Sequence, residues 1–179
     1  MGLNGRRRPA SHVKWTGAQI IYSLIHKLGT PDSKVDTPYI PGQIEGNESL
    51  LASVPPNLVQ SIRAFRVTEL QEEAARLGQH FLYAHPIAGA TKQQVLGIIS
   101  ESFLFPKGVG KNFDGLRETL TETMFKAGQQ TGFLIVLEQL PNTQKFDKEA
   151  RETLLDVFRD AADYWADKKV PFRVFYSFE

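Results

Sequence analysis

The sequence predicts an α/β fold built on a parallel sheet, and three observations carry the prediction. Short apolar runs near Gln60, His80, Phe133 and Phe172 alternate with amphipathic stretches, the order that right-handed crossovers between parallel strands produce. The run Phe133-Leu134-Ile135-Val136-Leu137 is unbroken, as in a strand covered on both faces. Thr68 with Gln71, and Thr91 with Gln94, repeat a capping-box spacing that opens helices between the strands.

Taken in order, residues 1–11 form a basic tail with Arg6, Arg7 and Arg8. Ile20, Ile21, Leu24, Ile25 and Leu28 fall at helical spacing between Gly17 and Leu28, ahead of Gly29, so an amphipathic helix of about three turns is expected there. Alone in water it is too short to persist, so it docks on its own domain or on a partner. Thr30–Pro56 is punctuated by Pro31, Pro38, Pro41, Gly42, Gly46, Pro55 and Pro56 and reads as a linker. Residues 1–58 are therefore assigned to an N-terminal extension and 59–179 to the folded domain.

Within that domain, 60–67 is a candidate strand whose two arginines suit a sheet edge. Thr68 opens a helix that Gly78 ends, and His80–Ala84 is a strand. Thr91 opens a second helix facing inward with Val95, Ile98, Ile99 and Phe103. Asp147–Asp167 is a long helix with Leu154, Leu155, Val157, Phe158, Ala161, Ala162 and Trp165 inward, and Phe172–Phe178 closes the chain as a strand.

The stretch FPKGVGKNFDGLRETLTE, from Phe105 to Glu122, organises the rest. A glycine loop, Gly108-Val109-Gly110, leads to Asn112, whose side-chain oxygen suits an N-cap. Phe113, Leu116, Leu120 and Met124 make an apolar stripe as far as about Lys126. Asp114, Glu118 and Glu122 recur every four residues, about 6 Å apart on a helix. That pitch is close to the spacing of phosphates along a nucleic-acid strand. By spacing alone the ladder reads first as a solvated face, with Asp114 favoured by the helix dipole.

Composition narrows the function classes. No run of about 18 apolar residues occurs, so no membrane span is expected, and the basic start lacks the apolar run of a secretory signal. The chain has no cysteine, which removes disulfide frameworks and thiol chemistry and fits a reducing cytoplasm. Up to Val67 there are eight basic and four acidic residues, and in the remaining 112 there are thirteen and sixteen. The folded part is thus mildly acidic, and direct nucleic-acid binding is not favoured. His12, His26, His80 and His85 show no metal-ligand spacing. Gly110-Lys111 fails as a phosphate loop, since Phe105 stands where the first glycine belongs and Asn112 where the magnesium-binding hydroxyl belongs. With no second constellation around the carboxylates, neither an enzyme nor a cofactor is expected.

Pro106, Gly110, Asn112, Asp114, Leu116, Glu118 and Leu120 together resemble the signature of the barstar family of ribonuclease inhibitors. FLIVLEQL and the pair LLDVFRDAADYW and PFRVFYSF resemble the family's central strand, last helix and last strand, so the likeness spans about Gln79 to Glu179. It implies a small three-stranded parallel sheet flanked by helices, which the strand before Thr68 would extend to four at one edge. It further implies a cytoplasmic inhibitor of immunity or antitoxin type. Such a protein plugs the basic active site of a small ribonuclease toxin with acidic residues that mimic substrate phosphates. Carried over by position, the partner-binding residues are Gly108, Gly110, Asn112, Asp114, Arg117, Glu118, Thr121 and Asp160.

Two positions depart from the family's pattern. Gly108 and Arg117 stand where aromatic residues are usual, and Arg117 is placed either to pair with Asp114 or to repel an arginine-rich site. Lys107 and Lys111 dilute the negative field, and the chain between Leu120 and Phe133 is a few residues longer than usual. These features favour a second reading, an interaction module of the same fold whose partner is not a ribonuclease.

Overall fold

The computed structural model describes residues 49–179. The basic tail and the expected helix at 17–28 lie outside the described residues, as does the linker up to residue 48. In chain order the elements are β1 (Asn57–Ser61), α1 (Val67–Leu77), β2 (His80–Ala84) and α2 (Lys92–Ser102). Next comes a composite helix: α3 (Phe113–Glu118), a π-helical turn (Thr119–Thr123) and α4 (Met124–Lys126). Then follow β3 (Phe133–Leu140), a 3-10 turn (Gln144–Phe146), α5 (Lys148–Asp167) and β4 (Phe172–Phe178).

The four strands pair parallel throughout in the order β1-β4-β3-β2. The expected α/β architecture is present, with the fourth strand at an edge. Side chains alternate across β3 and β4. Phe133, Ile135, Leu137, Phe172 and Val174 face the main core, shared with Leu116, Leu120, Leu154, Phe158 and Trp165 of the helices. Leu134, Val136 and Phe175 face a smaller core with Leu70 and Ala74 of α1 and with Leu51. Both faces of β3 are therefore covered, and this is why FLIVL carries no polar residue.

Two boundaries differ from those expected. The edge strand is 57–61, not 60–67, so Arg63 and Arg66 lie in the connection to α1. The paired prolines do not end the pairing, because a proline loses only its donor. The Pro56 carbonyl accepts from the Phe172 amide at 2.9 Å. Helix α1 begins at Val67, before the Thr68 box, and the Glu69 carboxylate accepts from the Arg66 amide at 3.1 Å. The Thr91 box forms as expected: the Thr91 amide donates to the Gln94 side chain at 2.9 Å, and the Gln94 amide donates back to the hydroxyl at 3.3 Å.

Residues 49–58, placed in the extension by their prolines, pack on the sheet. Leu51 is buried in the smaller core. Asn57 donates from its amide nitrogen to the carbonyls of Ala162, at 3.1 Å, and Val170, at 2.9 Å, tying β1 to α5 and to the approach of β4. Arg173, a buried cation on the inner strand β4, donates to the carbonyls of Pro55 at 3.0 Å and Val54 at 3.3 Å.

The same region holds Glu73 of α1, which is 6% exposed. Its carboxylate accepts from Arg76 at 2.8 and 2.7 Å and from the Ser49 hydroxyl. The hydrogen bonds from Arg76 dominate over burial, which acts the other way, and with Ser49 they hold Glu73 at about 2 against an ordinary value of 4.5. A carboxylate depressed on folding contributes stability that is complete above the unfolded value and is lost as pH falls through the folded one. The wild type is therefore expected to lose stability between about pH 4.5 and pH 2 more steeply than Glu73→Gln. Thermal melts across that range test this, and parallel pH profiles would show that Glu73 is not responsible.

Candidate functional site

The loop that leads into α3 is shaped by backbone geometry before any side chain acts. Leu104 adopts a left-handed φ of 58°, and its amide closes on the Glu101 carbonyl at 3.0 Å, ending α2. Phe105 is buried against Phe103, edge to face at 5.7 Å, and its amide donates to the Ser100 carbonyl at 2.8 Å. The chain then turns at Pro106, whose carbonyl accepts from the Val109 amide at 3.1 Å.

Gly110 is buried with φ +72°, and a β-carbon there would lie 2.7 Å from the Ser100 hydroxyl. The positive φ calls for glycine. Gly108 is exposed with φ +92°, a conformation that an aromatic residue adopts only with strain. The glycine at this position, where an aromatic anchor was the family expectation, thus belongs to the turn itself. Asn112 caps α3, its side-chain oxygen accepting from the Gly115 amide at 2.7 Å.

On the composite helix, Leu116, Leu120 and Met124 are fully buried and Phe113 partly so. That orientation leaves Asp114 and Glu118 exposed. The ladder does not extend straight to a third rung, because the helix widens between Thr119 and Thr123. Within this stretch the Met124 amide donates to the Thr119 carbonyl, five residues back. The Leu120 carbonyl accepts from the Trp165 indole nitrogen at 2.7 Å. Thr119 and Thr121 donate their hydroxyls to the carbonyls of Gly115, at 2.7 Å, and Arg117, at 2.8 Å. Side chains that engage helix carbonyls in this way disturb the regular ladder. Within it, Glu122 pairs with Lys126 at 3.7 Å and meets the Tyr164 hydroxyl, whose pKa is raised by burial first and by Glu122 second.

Thr121 lies within the π-turn; it is 7% exposed and its hydroxyl is bonded to the backbone of its own helix.

Arg117 is the centre of the exposed face. Its Nη1 donates to Asp114 at 2.9 Å, and its Nε donates to Asp160 of α5 at 2.8 Å. Of the two alternatives open for this residue, pairing is the one formed in the free protein. It also reaches 43 residues along the chain, bringing Asp160 beside the α3 acids. The cluster of Asp114, Arg117, Glu118 and Asp160 carries a net charge of −2 at neutral pH. Surface ion pairs of this kind contribute about 0–1 kcal/mol to stability, so their interest lies in recognition. Lys107 and Lys111 are exposed beside the loop.

An aromatic that sequence reasoning missed sits at the far end of the same helix. Phe125 is 45% exposed. Its ring meets Tyr164 and Trp165 edge on, at 6.2 and 6.3 Å, and the Lys168 ammonium lies 4.9 Å from its centroid. The signal was available, since Phe125 lies one residue beyond the apolar stripe and an aromatic off the stripe must face outward. It lines an open groove of about 590 Å³ with Gln130, Trp165 and Lys168. That groove is bordered by lysines and is separate in character from the acidic cluster.

Among the described residues no group of three histidines or carboxylates could hold a metal ion, and no helix is long and apolar enough to cross a membrane. His80 begins β2, with its ring 3.1 Å from the Gln130 side-chain oxygen; burial lowers its pKa and that hydrogen bond opposes the change. His85, just beyond β2, bonds the Gln139 side chain at 3.0 Å. A family model described as Barstar (barnase inhibitor) matches residues 79–177, more than half of the chain. No curated protein and no solved structure matches it.

Proposed function

The chain belongs to the barstar family, and on that premise we propose that it is an inhibitor of immunity or antitoxin type that binds and blocks a barnase-like ribonuclease. The observation that carries this reading is the exposed acidic cluster: Asp114 and Glu118 on α3, with Asp160 brought beside them through Arg117. The helix is fixed by its buried stripe and by the Asn112 cap, so these carboxylates are presented without reordering. Pre-organised groups lose less freedom on binding. Against arginines or lysines at a ribonuclease site they would form charge-assisted hydrogen bonds and accelerate encounter. Action by occupation of the site needs no cofactor, and an inhibitor that protects its own cell belongs in the cytoplasm.

The test is titration of barnase with the full chain while RNA cleavage is followed. Stoichiometric inhibition is expected, with Asp114→Ala and Glu118→Ala each weakening it about ten- to thirtyfold. The melting temperatures should change little, because both side chains are exposed. Losses of stability that match the losses of inhibition would make these residues structural. Two observations favour the second reading, an interaction module whose partner is not a ribonuclease: Arg117 already occupies two of the carboxylates, and Gly108 leaves the loop without an aromatic anchor. Absence of inhibition at micromolar concentration would move the assignment to that module.

A further inference from the structure

Arg117 lies at the middle of the acidic cluster and cannot be left outside any interface that uses it. Asp114 is on one side, at 2.9 Å, and Asp160 on the other, at 2.8 Å. The arginine side chain is itself only 36% exposed. A purely cationic site that approached Asp114 and Asp160 would have to take them from this guanidinium, then bury the guanidinium against its own positive charges. Like charges brought together at an interface are strongly disfavoured, and a buried charge stripped of its partner more so. Arginine cannot shed its proton to escape. It does, however, retain Nη2, which neither ion pair uses.

We infer that Arg117 is a built-in counter-ion that selects the partner: the face fits a protein surface of mixed charge, with cations over Asp114, Glu118 and Asp160 and a carboxylate over Arg117. The inference rests on the inhibitor reading and narrows it. Arg117 favours a partner that supplies the missing carboxylate and weakens binding to one that offers cations alone. Gly108 acts in the same direction, because without an aromatic anchor on the loop, charge match carries a larger share of the discrimination.

The experiment measures binding and inhibition of barnase by the full chain, by Arg117→Gln and by Arg117→Tyr. A form of barnase with one carboxylate introduced by Lys→Glu or Arg→Glu at the rim of its active site is measured in parallel. Melting curves and circular dichroism confirm that the variants fold, as expected for a half-exposed site. Both Arg117 variants should bind barnase at least about tenfold more tightly than the wild type. The added carboxylate at the best rim position should favour the wild type over Arg117→Gln. Equal inhibition by all three chains would keep the inhibitor reading and overturn the selecting role of Arg117. Weaker binding by the variants would likewise overturn it. No inhibition by any chain, with either form of the enzyme, would overturn both.

Discussion

A chain cut to residues 59–179 is expected to lose its cooperative fold, while one cut to 49–179 keeps it. The difference is ten residues that composition assigns to the N-terminal extension. Without them Leu51 no longer fills the smaller core beside Leu70, Val136 and Phe175, a loss of about 1.5–3 kcal/mol for a large buried side chain. Arg173 keeps its place on an inner strand but loses the carbonyls of Val54 and Pro55. An unsatisfied buried polar group costs about 1–3 kcal/mol, and more when charged. The two hydrogen bonds from Asn57 to α5 and Val170 go as well, with the first two residues of β1. Together these approach the whole stability of an ordinary domain, about 5–15 kcal/mol. Urea melts of the two truncations decide the matter. A 59–179 chain that unfolds cooperatively within about 1 kcal/mol of the longer one would show that the segment only rests on the sheet.

Replacing Trp165 should have the largest effect of any single substitution. The ring is 1% exposed and packs on Phe133 at 5.1 Å, and Trp165→Ala is expected to cost about 3–5 kcal/mol. Trp165→Phe is the sharper experiment, since it keeps most of the packing and removes only the indole donor. The Leu120 carbonyl then lacks its partner, at a cost of about 1–3 kcal/mol. The helix can recover by closing the π-turn to α-helical bonding, with the Met124 amide moving from Thr119 to Leu120. That change rotates the segment before Thr119 relative to the one after it, so Asp114 and Glu118 turn against Asp160. The Phe variant should therefore lose inhibition beyond what its stability predicts, with altered hydrogen exchange at Met124. Stability within a few tenths of a kcal/mol of wild type, with unchanged exchange, would mean that the indole does not hold the turn.

Much of the candidate site was legible in the sequence because it rests on local rules. The Asn112 cap, the Gly110 turn and the outward direction of Asp114 and Glu118 each follow from spacing of four residues or fewer. The surroundings of Glu122 and Thr121 were not legible there. Regular spacing assumes a regular helix, and the π-turn between Thr119 and Thr123 breaks that regularity where a tryptophan of another element bonds the Leu120 carbonyl. Glu122 is consequently taken up by Lys126 and Tyr164, and Thr121 by backbone carbonyls.

By itself the sequence determined which residues form helices and strands after His80, that the sheet is parallel and most of the faces they bury, although on α2 Leu96 is buried where Ile98 was expected. Those features follow from periodicity and from capping groups within a few residues. Tertiary structure alone decided that residues 49–58 pack on the sheet, where the edge strand runs and which charges meet on the acidic face. Pro55 and Pro56 look like a boundary until Arg173 and Phe172 are seen to bond their carbonyls. Arg117 looks free to pair or repel until Asp160 arrives from a helix 43 residues away. Such contacts join groups distant in the chain, and local spacing carries no record of a partner that only packing brings near.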